Sequence, residues 1–263
     1  MKFTKEYLWE NYIKLNKSQR QIAEECSTTE ASVDYWTRKY GLNYKKSDPD
    51  KVLNLNHIDK TDPIFCYYAG LVATDGYLDY KNRRVTLRVA NDGSLYVLNL
   101  IKNYFSYSIG NVYTYNAKNH ELNIPSPKIF GELESMGIFG DKNNRTFNIK
   151  WFFGSNDDCK RMFLRGILDG DGNIHKQTGS FRIAMKSVRF IENIVIIFNN
   201  MFNSGDLYSI REQKNSTEII YPLHHARKRD SISFYRYVYN GFPEYRFSDK
   251  YNRASLLIGK DIV

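Results

Sequence analysis

Leu164-Arg165-Gly166-Ile167-Leu168-Asp169-Gly170-Asp171-Gly172 has an earlier counterpart in the same chain, Tyr68-Ala69-Gly70-Leu71-Val72-Ala73-Thr74-Asp75-Gly76. Aligned without gaps, the two stretches pair Gly70 with Gly166, Asp75 with Asp171 and Gly76 with Gly172. Each reads as the last turns of an apolar helix closed by Asp-Gly, the glycine expected in the left-handed backbone of a helix C-terminus. One such stretch alone is a buried helix stopped by a turn, because Asp-Gly turns are common. Two of them, at matching places in two similar halves, are an architectural signal. Gly70 and Thr74, like Gly166 and Gly170, are small residues one helical turn apart. Helices facing one another through them would bring their backbones close, with an acid at the same end of each.

The pair resembles the LAGLIDADG motif of homing endonucleases. Leu164, Gly166, Asp169, Gly170, Asp171 and Gly172 all fit in the second copy. In the first, Ala73 and Thr74 replace the usual acidic-plus-small pair, while Asp75-Gly76 is kept. With the flanking helix and strand pattern, the resemblance covers about residues 60–260. It implies an α+β fold of two pseudo-symmetric αββαββα halves, whose saddle-shaped antiparallel sheets lie on DNA. It also implies that Asp75 and Asp171 are catalytic and bind metal, helped by the carbonyls of Thr74 and Gly170. Two carboxylates at adjacent helix ends repel unless a cation sits nearby, and Mg2+ or another oxygen-loving divalent cation suits them. Such a metal serves phosphodiester hydrolysis without a protein nucleophile, and none is evident. Lys186 ends the polar face of the strand after Asp171, where the family often places a basic residue near the scissile phosphate. The first half has Ala90 there, beside Asn91, which leaves open whether the two centres cut at equal rates.

At 263 residues the chain can hold one large domain or two smaller ones. Its formal charge of +9 favours polyanions, nucleic acid first and acidic membrane surfaces second. The 21 tyrosines, many among Lys, Arg and Asn, suit a wet polar interface as well as a core. No stretch is long and apolar enough to span a membrane, and no secretory signal is evident. Cys26, Cys66 and Cys159 form neither a Cys-x-x-Cys pair nor an even set, so an intracellular, reducing setting is expected.

Residues 1–46 read as a small all-α helix-turn-helix domain. Leu8, Tyr12 and Leu15 stripe its first helix, and Ser18 with Gln21 makes a capping box for the second. A third helix, boxed by Ser27 and Glu30, would bury Val33, Trp36 and Tyr40 and stop at Gly41. If the last helix lies in a major groove, it would present Thr28, Thr29, Ser32, Tyr35, Arg38 and Lys39 to DNA. The bland alternative is a helical bundle that serves packing or a protein contact. Residues 47–62, dense in Pro, Asp and Asn, read as a linker, followed by a first half over 63–137.

After Asp75-Gly76 the alternation of Val85, Leu87 and Val89 with Arg84, Thr86 and Arg88 predicts a hairpin with one buried and one basic face. The second half, 159–263, repeats the order, with Phe181, Ile183 and Met185 inward. It is expected to carry strands near 207–212, 218–221 and 231–239, and a closing helix over 248–258. Residues 138–158, with Lys142, Arg145 and Lys150, are a plain connector or a phosphate contact. The outward residues Arg84, Arg88, Lys176, Arg182 and Arg211 are candidate DNA contacts, as a group more than singly. Arg227-Lys228-Arg229 reads as a surface loop; His224 and His225 beside it lack the companions of a metal-histidine site.

Together these point to a monomeric, site-specific endonuclease that makes metal-dependent double-strand cuts in a long, asymmetric DNA site. The absence of a Cys or Ser start and a His-Asn end suggests a free-standing protein from an intron or independent reading frame. The rival readings are an intron RNA maturase, a catalytically silent DNA-binding regulator on the same scaffold, and a basic scaffold protein.

Overall fold

A computed structural model describes residues 3–15, 17–42, 58–90, 92–105, 113–115, 119–141, 143–202, 208–210, 213–214, 219–225 and 228–259. Most of the expected linker (47–57), Asn91, Lys142, Arg211 and Arg227 lie outside them. The contacts gather into two units, Met1–Asn56 with Lys102–Gly110, and His57–Ile101 with Asn111–Val263.

In the first unit, α1 (Lys5–Leu8) runs into a π-helical stretch, Trp9–Lys14, followed by α2 (Gln19–Glu25) and α3 (Glu30–Lys39). The Ser18–Gln21 capping box is formed. At α3 the cap is Thr29, whose hydroxyl accepts from the Ser32 N–H; Ser27 instead takes a positive φ of 50° in the preceding turn. Leu8, Tyr12, Ile22, Ala23 and Val33 form the core, with Trp36 and Tyr40 packed against it half-buried. Leu15 does not join the stripe and is 58% exposed. The π-helical stretch rotates the residues after Trp9 away from the 3.6-residue period on which that expectation stood.

The second unit is organised on two helices, α4 (Pro63–Asp75) and α8 (Asp157–Asp171). Asp62 caps α4 by accepting from the N–H groups of Ile64 and Phe65, with Pro63 in the first turn, where no amide is needed. Asn156 caps α8 in the same way through Cys159. Phe65 through Thr74 are all buried, so α4 is a core helix on every side. A Cβ placed on Gly70 would lie 2.3 Å from the Phe163 carbonyl oxygen, and one on Gly166 would lie 2.3 Å from that of Tyr67. Backbone thus meets backbone at the paired glycines. At the N-terminal ends, the Cys66 and Cys159 thiols donate to consecutive carbonyls, those of Lys60 (3.4 Å) and Thr61 (3.0 Å).

Gly76 and Gly172 do not adopt the left-handed conformation expected of them. Their φ values are −74° and −77°, and each opens a strand directly. A side chain is excluded there by proximity, since a Cβ would come within 2.5 Å of the Val72 oxygen and 2.3 Å of the Leu168 oxygen.

Behind α4 a four-stranded antiparallel sheet forms in the order β1 (Gly76–Asp79), β2 (Arg84–Ala90), β4 (Asn119–Pro125), β3 (Tyr113–Tyr115). Val85 faces Ile124 and Leu87 faces Leu122 across β2–β4, all fully buried. Helices α5 (Asp92–Phe105) and α6 (Pro127–Ser135) complete this half, with Ile129, Leu133 and Met136 inward. In the second half β5 (Gly172–Ile174), β6 (Phe181–Met185), β9 (Ile219–His225) and β7 (Tyr208–Ile210) form the other sheet, with β8 (Gln213–Lys214) beside β9. Helix α9 (Val188–Phe202) covers it and α11 (Ser248–Ile258) closes the chain.

Two expectations need correction. Residues 231–239 are not a strand; α10 spans Lys228–Val238. Their aromatic content suggests β structure, but burial of Ile232, Phe234, Tyr235, Val238 and Tyr239 follows the helical period against α8 and α9. Nor is 138–158 a plain connector or a phosphate contact through Arg145. It contains α7 (Ile149–Gly154), and Arg145, 2% exposed, donates to the carbonyls of Val72 (2.9 Å) and Gly76 (2.7 Å).

Candidate functional site

Asp75 and Asp171 are the last residues of α4 and α8, and both are half-buried. The glycine contact between the helices carries their C-terminal ends together. A Cβ on Gly170, the residue before Asp171, would lie 3.0 Å from Asp75 Oδ2 and would strike the Thr74 side chain. Thr74 is 1% exposed, and its hydroxyl turns back to the Gly70 and Leu71 carbonyls of its own helix. Its main-chain oxygen is therefore the atom it can offer to a metal. A cavity of about 390 Å3 opens here, with Asp75, Arg88, Ala90, Asn119, Gly170 and Lys250 in its wall.

Lys250 went unnoticed in the sequence. Its ammonium, on α11, donates to the carbonyls of Leu168 (3.0 Å), Asp169 (2.5 Å) and Gly170 (2.5 Å). Burial lowers its pKa, while Asp169, Asp75 and Asp171 oppose that shift. Arg145 does the same at the other helix end: burial lowers it, and Asp171 and Asp75 are among the charges holding it up. Each motif helix thus ends on a cation, Arg145 buried and Lys250 half-buried, and both cations feel both acids. The only sequence signal for Lys250 is a lysine in the first turn of the closing helix, which is indistinguishable from a solvated one.

Asp169 has another task. It is 1% exposed and accepts from Tyr67 Oη (2.9 Å), Tyr239 Oη (2.8 Å) and the Phe247 N–H (3.0 Å). Burial raises its pKa, and burial followed by the Asp169 charge holds both tyrosines well above their ordinary value. Arg165, fully buried, gives its guanidinium to the carbonyls of Val238, Asn240, Gly241, Phe242 and Tyr245. Both residues tie α8 to the end of α10 and the chain that follows it, and Asp169 also ties it to α4.

Lys186 lies half-buried just beyond β6, and Ala90 ends β2 exposed. Arg84, Arg88 and Arg182 lie on the outward faces of the central strands, and Lys176 is exposed in the β5–β6 turn. Arg84 is held by Asp79 at 3.0 Å and Arg88 by Glu121 at 2.6 Å. In the other unit Tyr35 is 57% exposed, and Lys39 Nζ stands 5.6 Å and 4.7 Å from the ring centres of Tyr35 and Trp36. Arg38 pairs with Asp34 at 2.9 Å, Thr29 is used as a helix cap, and Thr28 and Ser32 are half-buried.

Residues 158–240 match the family described as the LAGLIDADG-like domain. A DNA-directed RNA polymerase subunit, Rpo1C of Methanocaldococcus jannaschii, is 28% identical over 185 residues, 66% of this chain; the match spans about a fifth (20%) of that protein. Among solved structures, the homing endonuclease I-WcaI bound to its DNA recognition sequence aligns with TM-score 0.51 and 13% identity, over 82% of this chain and 92% of that one. A variant of I-DmoI, in complex with its target DNA in the presence of manganese, aligns with TM-score 0.50 and 18% identity, over 71% of this chain and 98% of that one. Residues 158–240 are thus similar to the LAGLIDADG-like domain, and the two halves share the fold of the homing endonuclease I-WcaI.

Proposed function

We propose that the protein is a monomeric, site-specific endonuclease that makes divalent-metal-dependent double-strand cuts in DNA. The observation that supports this reading is the approach of Asp75 Oδ2 to Gly170, the residue before Asp171, at the ends of the two motif helices. Carboxylate and carbonyl oxygens are the donors that Mg2+ or a similar hard cation prefers. Asp75 and Asp171 would hold it, with the Thr74 and Gly170 carbonyls as further donors. Such an ion supplies a water of lowered pKa and charge stabilisation at phosphorus.

The chain's own residues supply the rest. The ammonium of Lys250 and the guanidinium of Arg145 offset the charge of the two acids and of the carbonyl ends of their helices, which lets the acids stand close together. Lys186 is the group we assign to phosphate, and the outward arginines of the sheets are assigned to the DNA contact surface. We assign residues 1–46 to a helix-turn-helix that adds contacts through Tyr35, Arg38 and Lys39, and residues 63–137 and 159–263 to the two half-sites. Because the halves differ in sequence, the preferred site is asymmetric.

Incubating the protein with a duplex library and Mg2+ tests this. Double-strand cuts are expected, and Asp75→Asn or Asp171→Asn should each slow cutting of at least one strand on the order of a hundredfold or more while sparing binding. Intact DNA together with tight binding of a structured intron RNA would replace this reading with the maturase.

A further inference from the structure

The outward face of the first sheet carries a connected set of side chains that the cleavage chemistry does not use. Arg88 and Glu121 oppose one another across β2–β4. Arg88 donates Nε at 3.0 Å and Nη2 at 2.6 Å to a single oxygen, Glu121 Oε2. The other oxygen, Oε1, accepts from Asn123 Nδ2 at 2.7 Å, and the amide oxygen of Asn123 meets the Thr86 hydroxyl. The Glu121 side chain is 7% exposed and that of Arg88 64% exposed. A buried acid therefore forms the floor, and an arginine stands over it, in a depression of about 650 Å3 that also reaches Asp75.

A carboxylate on a surface that meets a polyanion weakens binding, both by repelling phosphates and by the loss of its own hydration. A contact that only neutralises phosphate charge needs no acid beneath it, since lysine serves there as a point charge. What the acid does provide is direction. Two of the five guanidinium N–H groups are given to Glu121, which fixes the plane of a side chain that otherwise samples many rotamers. A planar fork held in one orientation matches the O6 and N7 acceptors of guanine in the major groove. The mirrored position cannot repeat the pair: the ungapped counterpart of Arg88 is Ala184, which pairs with Pro222.

We propose that Glu121 is a positioning residue that aims Arg88 at a guanine edge of double-stranded DNA under the first sheet. One G·C pair is then read in that half-site and none at the mirrored position. This rests on the DNA-binding reading above.

Selection from a randomised duplex pool, with the full chain and EDTA to prevent cutting, tests it. The wild type should enrich a G·C pair at one position in one half-site. Arg88→Ala and Glu121→Gln should each reduce that preference about tenfold or more and leave the other positions intact. Glu121→Gln should do so without weakening binding to non-specific duplex, and Arg88→Lys should not restore the preference. A merely structural role for the pair would lower stability and leave base preference unchanged. If the wild type selects no duplex sequence, the DNA-reading function falls and this inference with it. If it selects a site and folded Glu121→Gln keeps every preference, the inference alone is overturned. Should Glu121→Gln fail to fold, Arg88→Ala, at an exposed side chain, decides the matter by the same readout.

Discussion

Arg165 and Asp169 show how two charged side chains can lie inside a helix that is otherwise apolar. Arg165 satisfies five carbonyls from the last residue of α10 onward, and Asp169 takes three donors, from Tyr67 of α4, from Tyr239 just beyond α10 and from the Phe247 main chain. Removing either leaves partners buried without a bond, the most damaging class of polar substitution. Arg165→Met is expected to cost about 3–5 kcal/mol in urea denaturation. Asp169→Ala should cost about 3 kcal/mol, more than Asp169→Asn, which keeps acceptor capacity for two tyrosines. A loss below about 0.5 kcal/mol for Asp169→Ala would mean that the carboxylate is not the bridge described.

Packing between elements turns on the glycines. Gly70→Ala or Gly166→Ala would push a methyl into a main-chain oxygen that cannot move without separating α4 from α8. Each is expected to destabilise by about 3 kcal/mol or more, at the upper end of overpacking. Gly131, within α6, would meet nothing within 4 Å of an added Cβ. Gly131→Ala should therefore stabilise by about 0.5–1 kcal/mol, through helix propensity alone. Opposite signs for these alanines in one denaturation series would separate close approach from propensity. At the β1–β2 hairpin the Asp79 carboxyl is held below its ordinary value by the Asn82 side-chain amide first, then the Asn82 N–H, with Arg84 adding. Its contribution is complete above the ordinary value of 3.8 and is lost as pH falls through the lower folded value. Amide protection factors in the hairpin, taken against the intrinsic exchange rate at each pH, should fall at acid pH in the wild type. In Asp79→Asn that acid-side change should be absent.

For the whole molecule, a charge of +9 predicts that the proposed binding to duplex DNA is strongly salt-dependent. Fluorescence anisotropy with non-specific duplex should give an affinity that falls linearly with salt on logarithmic axes. Lys39→Ala should reduce the slope by roughly one if that lysine meets phosphate. An unchanged slope would remove the helical unit's lysine from the contact surface. No helix among the described residues is long and apolar enough to cross a membrane.

By itself the sequence determined the two halves, the helix–strand order of the first, the inward set of each central strand and the acids that end the motif helices. These are local properties, written in period-two and period-3.6 spacing and in a motif used twice. The tertiary structure alone decided that Gly76 and Gly172 are needed for proximity rather than for a left-handed turn, that residues 231–239 wind as a helix, and that Arg145 and Lys250 turn inward. The physical reason is common to all three. A glycine, an aromatic run or a lone cation has the same local preferences wherever it stands, and its role is fixed by which carbonyls and rings the rest of the chain brings within a few ångströms.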